Sequence, residues 1–297
     1  MVTWRLFGES HSDEVGIIVK GLSPFVFDYD KLNAFMARRK KNSPREERDE
    51  PMIEWNDASL KITIKNLNQR SEDYSEFATV PRPGHADYAA YLKDGKIPAG
   101  GGRWSGRMTA PLCAAGGIAL QLLERHGVEI SARVVSESAN GREGDSNGAL
   151  VEVVARGVPS GLGEAGAEGL ESKLSAAFFS IPAVKGVEFG DGFQLANMHG
   201  SEANDAFAIR EGKVVLVTNH CGGILGGISV GAPIVARLAF KPTPSIEIEQ
   251  DSVDLKTLKE VKLKVHGRHD RCVAYRACPA VESVMALVVL GEMGEVG

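Results

Sequence analysis

The sequence predicts an α+β fold in one domain, residues 1–297, with sheets backed by helices. Three observations point there. Strand-like and helix-like runs are mixed without the regular alternation of a doubly wound parallel sheet. No repeat of fixed period and no low-complexity linker divides the chain. The 297 residues, 43% hydrophobic and 25% charged, can bury one substantial core.

Taken in order, EVGIIVKGL (14–22) reads as a strand, and DYDKLNAFMARRKK (28–41) as a helix whose spacing puts Leu32, Phe35, Met36 and Arg39 on one face. SLKITIKN (59–66) alternates, with Leu60, Ile62 and Ile64 on the same side of a half-buried strand. Residues 108–126 form an apolar helical run closed by Gly127 as a left-handed cap. Strands are expected at VEISARVVS, ALVEVVARGVP, VKGVEFG, KVVLVTN and ISVGAPIVARLAF, and a helix near EGLESKLSAAFF. A last helix, PAVESVMALVVLGEM, is expected to open on Pro279, where the missing N–H costs nothing.

A net charge of −5 excludes general affinity for nucleic acid or membrane surfaces, both of which call for a basic field. Any bound anion must therefore sit in a local basic pocket. No charged-then-apolar leader opens the sequence and no run reaches eighteen apolar residues, so a cytoplasmic protein is expected. Cys113, Cys221, Cys272 and Cys278 are too scattered for a disulfide framework and are expected to pack as small hydrophobes.

Several stretches carry chemistry. HGRHDRCVAYRACP (266–279) sets Arg268, His269 and Asp270 side by side, which admits a metal site, a hydrolytic site or an anion pocket with proton transfer. AGGGRWSGRMT (99–109) places Arg103 and Arg107 around Ser105 directly before a helix, a favourable anion cradle. His11 in LFGESHS and His85 in PRPGHADY each lie in a Gly- or Pro-rich turn beside a carboxylate. The basic run ARRKKNSPREER is either a solvated face or the lip of a pocket for a multiply charged small molecule. There is no His-Glu-x-x-His, no Cys-x-x-Cys, no Gly-x-Ser-x-Gly elbow and no Gly-Lys-Ser/Thr phosphate loop. An anion pocket with acid–base groups survives.

The segments FGESHS, RRKKNSPR, NQRSEDYS, PRPGHADY, GGGRWSGRMT, REGDSNGALVEVVARGVPSGLGE, VKGVEFGDGF, NHCGGILGGIS, KPTPSI and GRHDRCVAYRACPAVESVMA run in order from residue 7 to 286. Together they resemble the chorismate synthase family. The resemblance implies a β-α-β sandwich of antiparallel sheets and helices, and a homotetramer with FMN near its subunit boundaries. It implies a 1,4-trans-elimination of phosphate from 5-enolpyruvylshikimate 3-phosphate that requires reduced FMN without net redox change. No separate reductase domain is evident, so NADPH would act as an indirect reductant. The alternative is a non-catalytic relative that binds flavin or anions.

Carried over residue by residue, the resemblance makes His11 the acid that protonates the leaving phosphate. His85 becomes the group that maintains the protonation state of the reduced flavin, and Asp270 the base that collects the ring proton through it. Arg39, Arg45, Arg48 and Arg107 would hold the substrate's carboxylates and phosphate, for which guanidinium forks are suited. Flavin contacts would come from Arg103, Ser105, Ala183, Gly226, Lys241, Pro242, Thr243, Pro244, Ser245 and Arg268.

The chain also departs from the family. It is shortened between VEISARVVSES and REGDSNGA, after the basic run, and at the C-terminal tail. Trp104, Gly106 and Met108 stand where the resemblance puts serine, alanine and glutamate; Pro182 replaces asparagine, Ser12 glycine and Arg271 proline. Altered flavin affinity is expected from Trp104 and Pro182.

Overall fold

The computed structural model describes residues 2–40, 49–67, 77–139, 141–266 and 269–294. The first sheet comprises β1 (Thr3–Gly8), β2 (Glu14–Lys20), β3 (Met52–Asn56) and β4 (Ser59–Lys65), all antiparallel in the order β1-β2-β4-β3. The helices α1 (Tyr29–Ala37), α2 (Asp87–Asp94) and α3 (Thr109–Arg125) precede β5 (Glu129–Glu137) and β6 (Ala149–Arg156). Then come α4 (Leu170–Phe178), β7 (Val184–Phe189), the single turn α5 (Gly200–Ala203), and two hairpins. These are β8 (Phe207–Arg210) with β9 (Lys213–Leu216), and β10 (Ile224–Leu225) with β11 (Ile228–Ser229). The strand β12 (Ile234–Phe240), the hairpin β13 (Gln250–Asp254) with β14 (Lys259–Leu263), and α6 (Ala274–Met293) complete the chain. The second sheet, β5-β6-β12-β7, is again antiparallel.

The two sheets form the outer layers of a sandwich whose inner layers are helices. The first sheet rests on α3, the second on α6, and α3 packs along α6. Alternation explains the contact faces: Val15, Ile17 and Val19 of β2 pair with Ile64, Ile62 and Leu60 of β4, and all six are buried. On the second sheet Ile234, Ala236 and Leu238 oppose Ala155, Val153 and Val151 in the same way. The fold is the α+β sandwich expected from the sequence.

The two inner helices approach closely because α3 carries adjacent glycines. A Cβ at Gly116 would lie 2.0 Å from Ser283 Cβ on α6, and one at Gly117 would lie 2.8 Å from Leu32 Cδ1 on α1. One glycine therefore seats α6 and the next seats α1. Cys113, on the same helix and fully buried, is a packing residue whose thiol burial pushes up to about 11.

Three boundaries differ from the sequence reading. The helix α1 ends at Ala37 and tightens into a 3₁₀ turn over Arg38–Lys40. There Arg38 turns to the buried Glu282 of α6, with Nη1 and Nη2 donating at 2.6 and 2.7 Å, while Arg39 turns the other way. The expected strand 228–240 breaks into β11 and β12 at Gly231-Ala232-Pro233, where Gly231 has φ +81 and Pro233 has no N–H for a ladder. The last helix opens at Ala274, not at Pro279, which lies inside it. Proline there deprives the Tyr275 carbonyl of its helical donor. Burial of Ala274, Ala277 and Cys278 against the core outweighs that loss.

By length and composition α6 could cross a membrane, yet 83% of its apolar window is buried against α3, α4 and the second sheet. It is a core helix.

Candidate functional site

A cleft of about 290 Å³ opens where the loops between helices and sheets converge. Its lining brings together residues from six separated segments: Arg39 after α1, His85 before α2, the stretch 104–109 before α3, residues 181–183 after α4, 241–245 after β12, and 269–277 leading into α6. Of the residues assigned from the sequence, it gathers His85, Asp270, Arg39, Arg107, Ser105, Ala183, Lys241, Thr243, Pro244 and Ser245.

Others lie elsewhere. His11 sits in the turn between β1 and β2, outside the lining residues but against one of them: a Cβ on Gly100, which lines the cleft, would meet its Nε2 at 2.4 Å. Arg103 faces outward, bonded to Asp94 at 2.6 Å and stacked 4.4 Å over the Trp104 ring. Pro242 turns from the lining and packs beside Gly148. Gly226 occupies the β10–β11 turn, outside the lining. Arg45, Arg48 and Arg268 fall outside the described residues.

The glycine loop has an architectural task. Gly100, Gly101 and Gly102 have φ of 60, 86 and 53, backbone that other residues rarely adopt. Gly100 meets His11, and a Cβ on Gly101 would lie 3.0 Å from His85 Cε1. Both imidazoles thus pack against neighbouring residues of one loop. The His11 turn is stitched to it by Ser10, whose N–H donates to the Gly102 carbonyl at 3.3 Å. Ser12 accepts from the Glu9 N–H at 2.8 Å and donates to the Glu14 carbonyl at 2.6 Å. The serine found in place of a glycine therefore closes this turn.

Burial pushes the His11 imidazole below its ordinary value. A histidine depressed in this way costs stability as pH falls, because the unfolded chain takes up its proton first. NMR titration of His11 in the ligand-free protein is expected to give a midpoint below about 6.5. Inorganic phosphate should raise that midpoint by favouring the imidazolium; a midpoint above it without ligand, or no response to phosphate, contradicts this environment.

The charges are strongly segregated. Arg39, Arg82, Arg107, Lys241 and Arg276 line the cleft with one carboxylate, Asp270, in a chain whose net charge is −5. Two further carboxylates stand behind the arginines. Asp49 bridges Arg39 and Arg107, accepting from Nη1 of each. Arg107 is further fixed by Asn66 Oδ1 at 2.8 Å, and Arg39 by Thr109 Oγ1 at 3.2 Å. Asp87, fully buried, accepts from Arg82 Nε at 2.7 Å and from His85 Nδ1 at 2.6 Å. Burial alone would raise the Asp87 carboxyl, but bonds and charge from His85 and Arg82 outweigh it and hold it well below the usual carboxylate range. Its contribution to stability is full above that range and is lost as pH falls through it.

Asp270 is 8% exposed, and its Oδ2 accepts from Arg276 Nη1 at 2.8 Å. Its Oδ1 and the Nε of Arg39 are buried with no hydrogen-bond partner among the described residues. Buried polar atoms rarely stay unpaired, so both mark places where a ligand atom belongs. Ala183 has φ +74 in the cleft wall, a backbone conformation uncommon for alanine, held by the Lys241 N–H donating to its carbonyl at 2.9 Å. Trp104, Ile181, Pro182 and Val273 supply an apolar wall. A planar ring flanked by anionic groups fits this donor set and wall, and the flavin expected from the sequence has that shape.

Asp49, Arg82, Asp87 and Arg276 escaped the sequence reading. Arg82 and Asp87 stand inside PRPGHADY and Arg276 inside HGRHDRCVAYRACP, the same segments that carry His85 and Asp270. Asp49 directly follows the basic run, and an acid after so many cations was its signal.

Helix-lined sandwich walls, a cation-rich cleft with a single carboxylate among its lining, and two imidazoles from different turns packed against one glycine loop are the site of an enzyme for a small molecule. Comparison with known proteins gives the family. The chorismate synthase family model matches residues 2–141 and 137–293. The chorismate synthase of Thermococcus gammatolerans is 40% identical over 337 aligned positions, covering 97% of this chain and 95% of that protein. That of Chitinophaga pinensis is 40% identical over 312 positions, covering 96% and 92%. A chorismate synthase crystal structure shares the fold with a TM-score of 0.74 at 21% identity, covering 98% of this chain and 91% of the other. The chain belongs to the chorismate synthase family, whose members are lyases. The alignment over 337 positions exceeds the 297 residues present, so that relative carries segments absent here. The family match is split at residues 137–141, in the β5–β6 connection where the sequence reading located a shortened segment.

Proposed function

We propose that this chain converts 5-enolpyruvylshikimate 3-phosphate to chorismate by 1,4-trans-elimination, the last common step of the shikimate pathway. The observation that carries the reading is Asp270 Oδ1, buried and without a partner among the described residues, on the one carboxylate in a cleft whose other charged lining residues are cations. Arg39 and Arg107, held by Asp49, present guanidinium groups to the phosphate and carboxylates, with Arg45 and Arg48 joining them. His11 gives a proton to the departing phosphate, which as a dianion favours the imidazolium that burial otherwise disfavours. Asp270 Oδ1 receives the ring proton, while Arg276 steadies the carboxylate through Oδ2. His85 holds a proton at the cleft wall.

Reduced FMN, when bound, supplies the electron density that starts phosphate loss and recovers it afterwards. Ser105, Ala183, Lys241, Thr243, Pro244 and Ser245 would hold it in the cleft. Arg103, Pro242, Gly226 and Arg268 would complete the contacts, and in a homotetramer such residues can serve a neighbouring subunit's cleft. Support for association comes from the β8–β9 hairpin, where Phe207, Ile209 and Val214 share one face and are 67%, 71% and 65% exposed. Three buried cysteines accord with a reducing cytoplasm. NADPH acts only through an external source of reduced flavin.

Anaerobic incubation with pre-reduced FMN and 5-enolpyruvylshikimate 3-phosphate is expected to release phosphate at the same rate with and without NADPH. Retention of FMN with no phosphate release would make the chain a binding relative instead.

A further inference from the structure

We propose that Asp87 is the positioning residue for His85, fixing the imidazole proton on Nδ1 and leaving Nε2 as the atom that exchanges protons in the cleft. The inference rests on the reading of His85 as a proton-holding group, but the arrangement itself is visible without any ligand. Asp87 opens α2 and is fully buried. Its Oδ2 accepts from the Arg82 backbone N–H at 3.1 Å and from Nε at 2.7 Å; its Oδ1 accepts from Arg82 Nη2 at 2.9 Å and from His85 Nδ1 at 2.6 Å. Both oxygens are thus saturated by donors. Arg82, itself 7% exposed, donates onward through Nη1 to Ser245 Oγ at 3.1 Å, tying the group to the segment after β12.

The logic is one of donors and acceptors. An arginine has no acceptor and keeps its charge, so its three bonds to Asp87 require carboxylate oxygens. The Arg82 Nη2 donor lies 3.1 Å from His85 Nδ1 and 3.4 Å from Nε2, but the Asp87 carboxylate is nearer to Nδ1, at 2.6 Å, and can only accept, so Nδ1 carries the hydrogen. Gly101 leaves room for the ring, since a Cβ there would come within 3.0 Å of Cε1 and 3.2 Å of Nε2. Orientation and tautomer are consequences of the same residue.

Asparagine at position 87 would reverse the tautomer. Asparagine offers one oxygen where four donors converge: with that oxygen kept on the Arg82 backbone N–H and Nε, the amide NH₂ turns toward Arg82 Nη2 and His85 Nδ1, so Nη2 must move away and Nδ1 must accept. The proton would move to Nε2, as in the serine-protease triad when the aspartate is replaced by asparagine.

The test is side-chain ¹⁵N NMR of His85 in the ligand-free protein, combined with steady-state kinetics. In the unsubstituted protein, neutral His85 should carry its proton on Nδ1. Asp87→Asn should move it to Nε2 and lower kcat about 10²–10⁴-fold, with KM for 5-enolpyruvylshikimate 3-phosphate nearly unchanged. Asp87→Glu, which keeps the carboxylate, should retain the Nδ1 proton and recover part of the turnover. A proton on Nε2 in the unsubstituted protein overturns the proposal even if Asp87→Asn does not fold. So does an Asp87→Asn protein with unaltered tautomer or unaltered kcat. If the unsubstituted protein never releases phosphate, the functional reading fails while the NMR result still decides the role of Asp87.

Discussion

Asp270→Asn is expected to lower phosphate release about 10²–10⁴-fold while leaving the fold intact and substrate binding nearly unchanged. The substitution is close to isosteric. The asparagine oxygen can still accept the bond that Arg276 Nη1 now makes to Oδ2 at 2.8 Å. Arg276 keeps its second anchor as well, the Nε bond to the Arg39 carbonyl at 3.0 Å. The Asp270 carbonyl continues to accept from Thr243 Oγ1 at 3.0 Å, so the turn that carries the residue is retained. What disappears is the capacity of the Oδ1 position to take a proton. Single-turnover phosphate release with pre-reduced FMN, beside an equilibrium binding measurement, separates the two effects. Turnover at the original rate would remove Asp270 from the proton-abstracting role.

Asp49→Asn should show the largest loss of stability among the site residues, about 3–5 kcal/mol by the usual cost of breaking a buried ion pair. Asp49 is 4% exposed and stands between Arg39, at 2%, and Arg107, at 10%. Neutralising it leaves two guanidinium charges facing each other with little water to screen them. The denaturant midpoint is the measurement. Inorganic phosphate should restore part of the lost midpoint, and stabilise the variant more than the unsubstituted protein, because an anion can occupy the vacated space between the arginines. An unchanged midpoint would mean that Asp49 does not hold them. The same arrangement bears on catalysis, since the arginines meet the incoming substrate already oriented by an internal carboxylate.

Much of the framework was legible. Alternation identified the buried face of β4, and helical spacing put Leu32, Met36 and Arg39 together, all of them buried. Gly127 takes φ +75 after α3, as a left-handed cap should. The reading erred where long-range packing competes with a local rule. Pro279 marks a helix start in isolation, whereas here core burial carries the helix through it. Pro233 and Gly231 interrupt a run whose composition reads as one strand. At the site, conspicuous segments were easier to find than their partners. His85 was singled out, but Asp87, two residues on, was noticed only as a neighbouring carboxylate. Asp49 lay beside a basic run that drew attention to cations, and Arg276 sat within an apparent approach to a helix.

The sequence by itself determined the alternating strands, the apolar faces of the helices and the residue types gathered in the cleft. These follow from periodicity and side-chain size, which act between neighbours in the chain. Only the tertiary structure decided which charges meet. Asp49 reaches Arg107 across 58 residues, Arg82 reaches Ser245 across 163, and His11 and His85 come to adjacent glycines of one loop. Such pairings depend on where two packed sheets and their helices place the ends of distant segments. Coulomb and hydrogen-bond energies fall off within a few ångströms, so folding, rather than spacing along the chain, selects the partners.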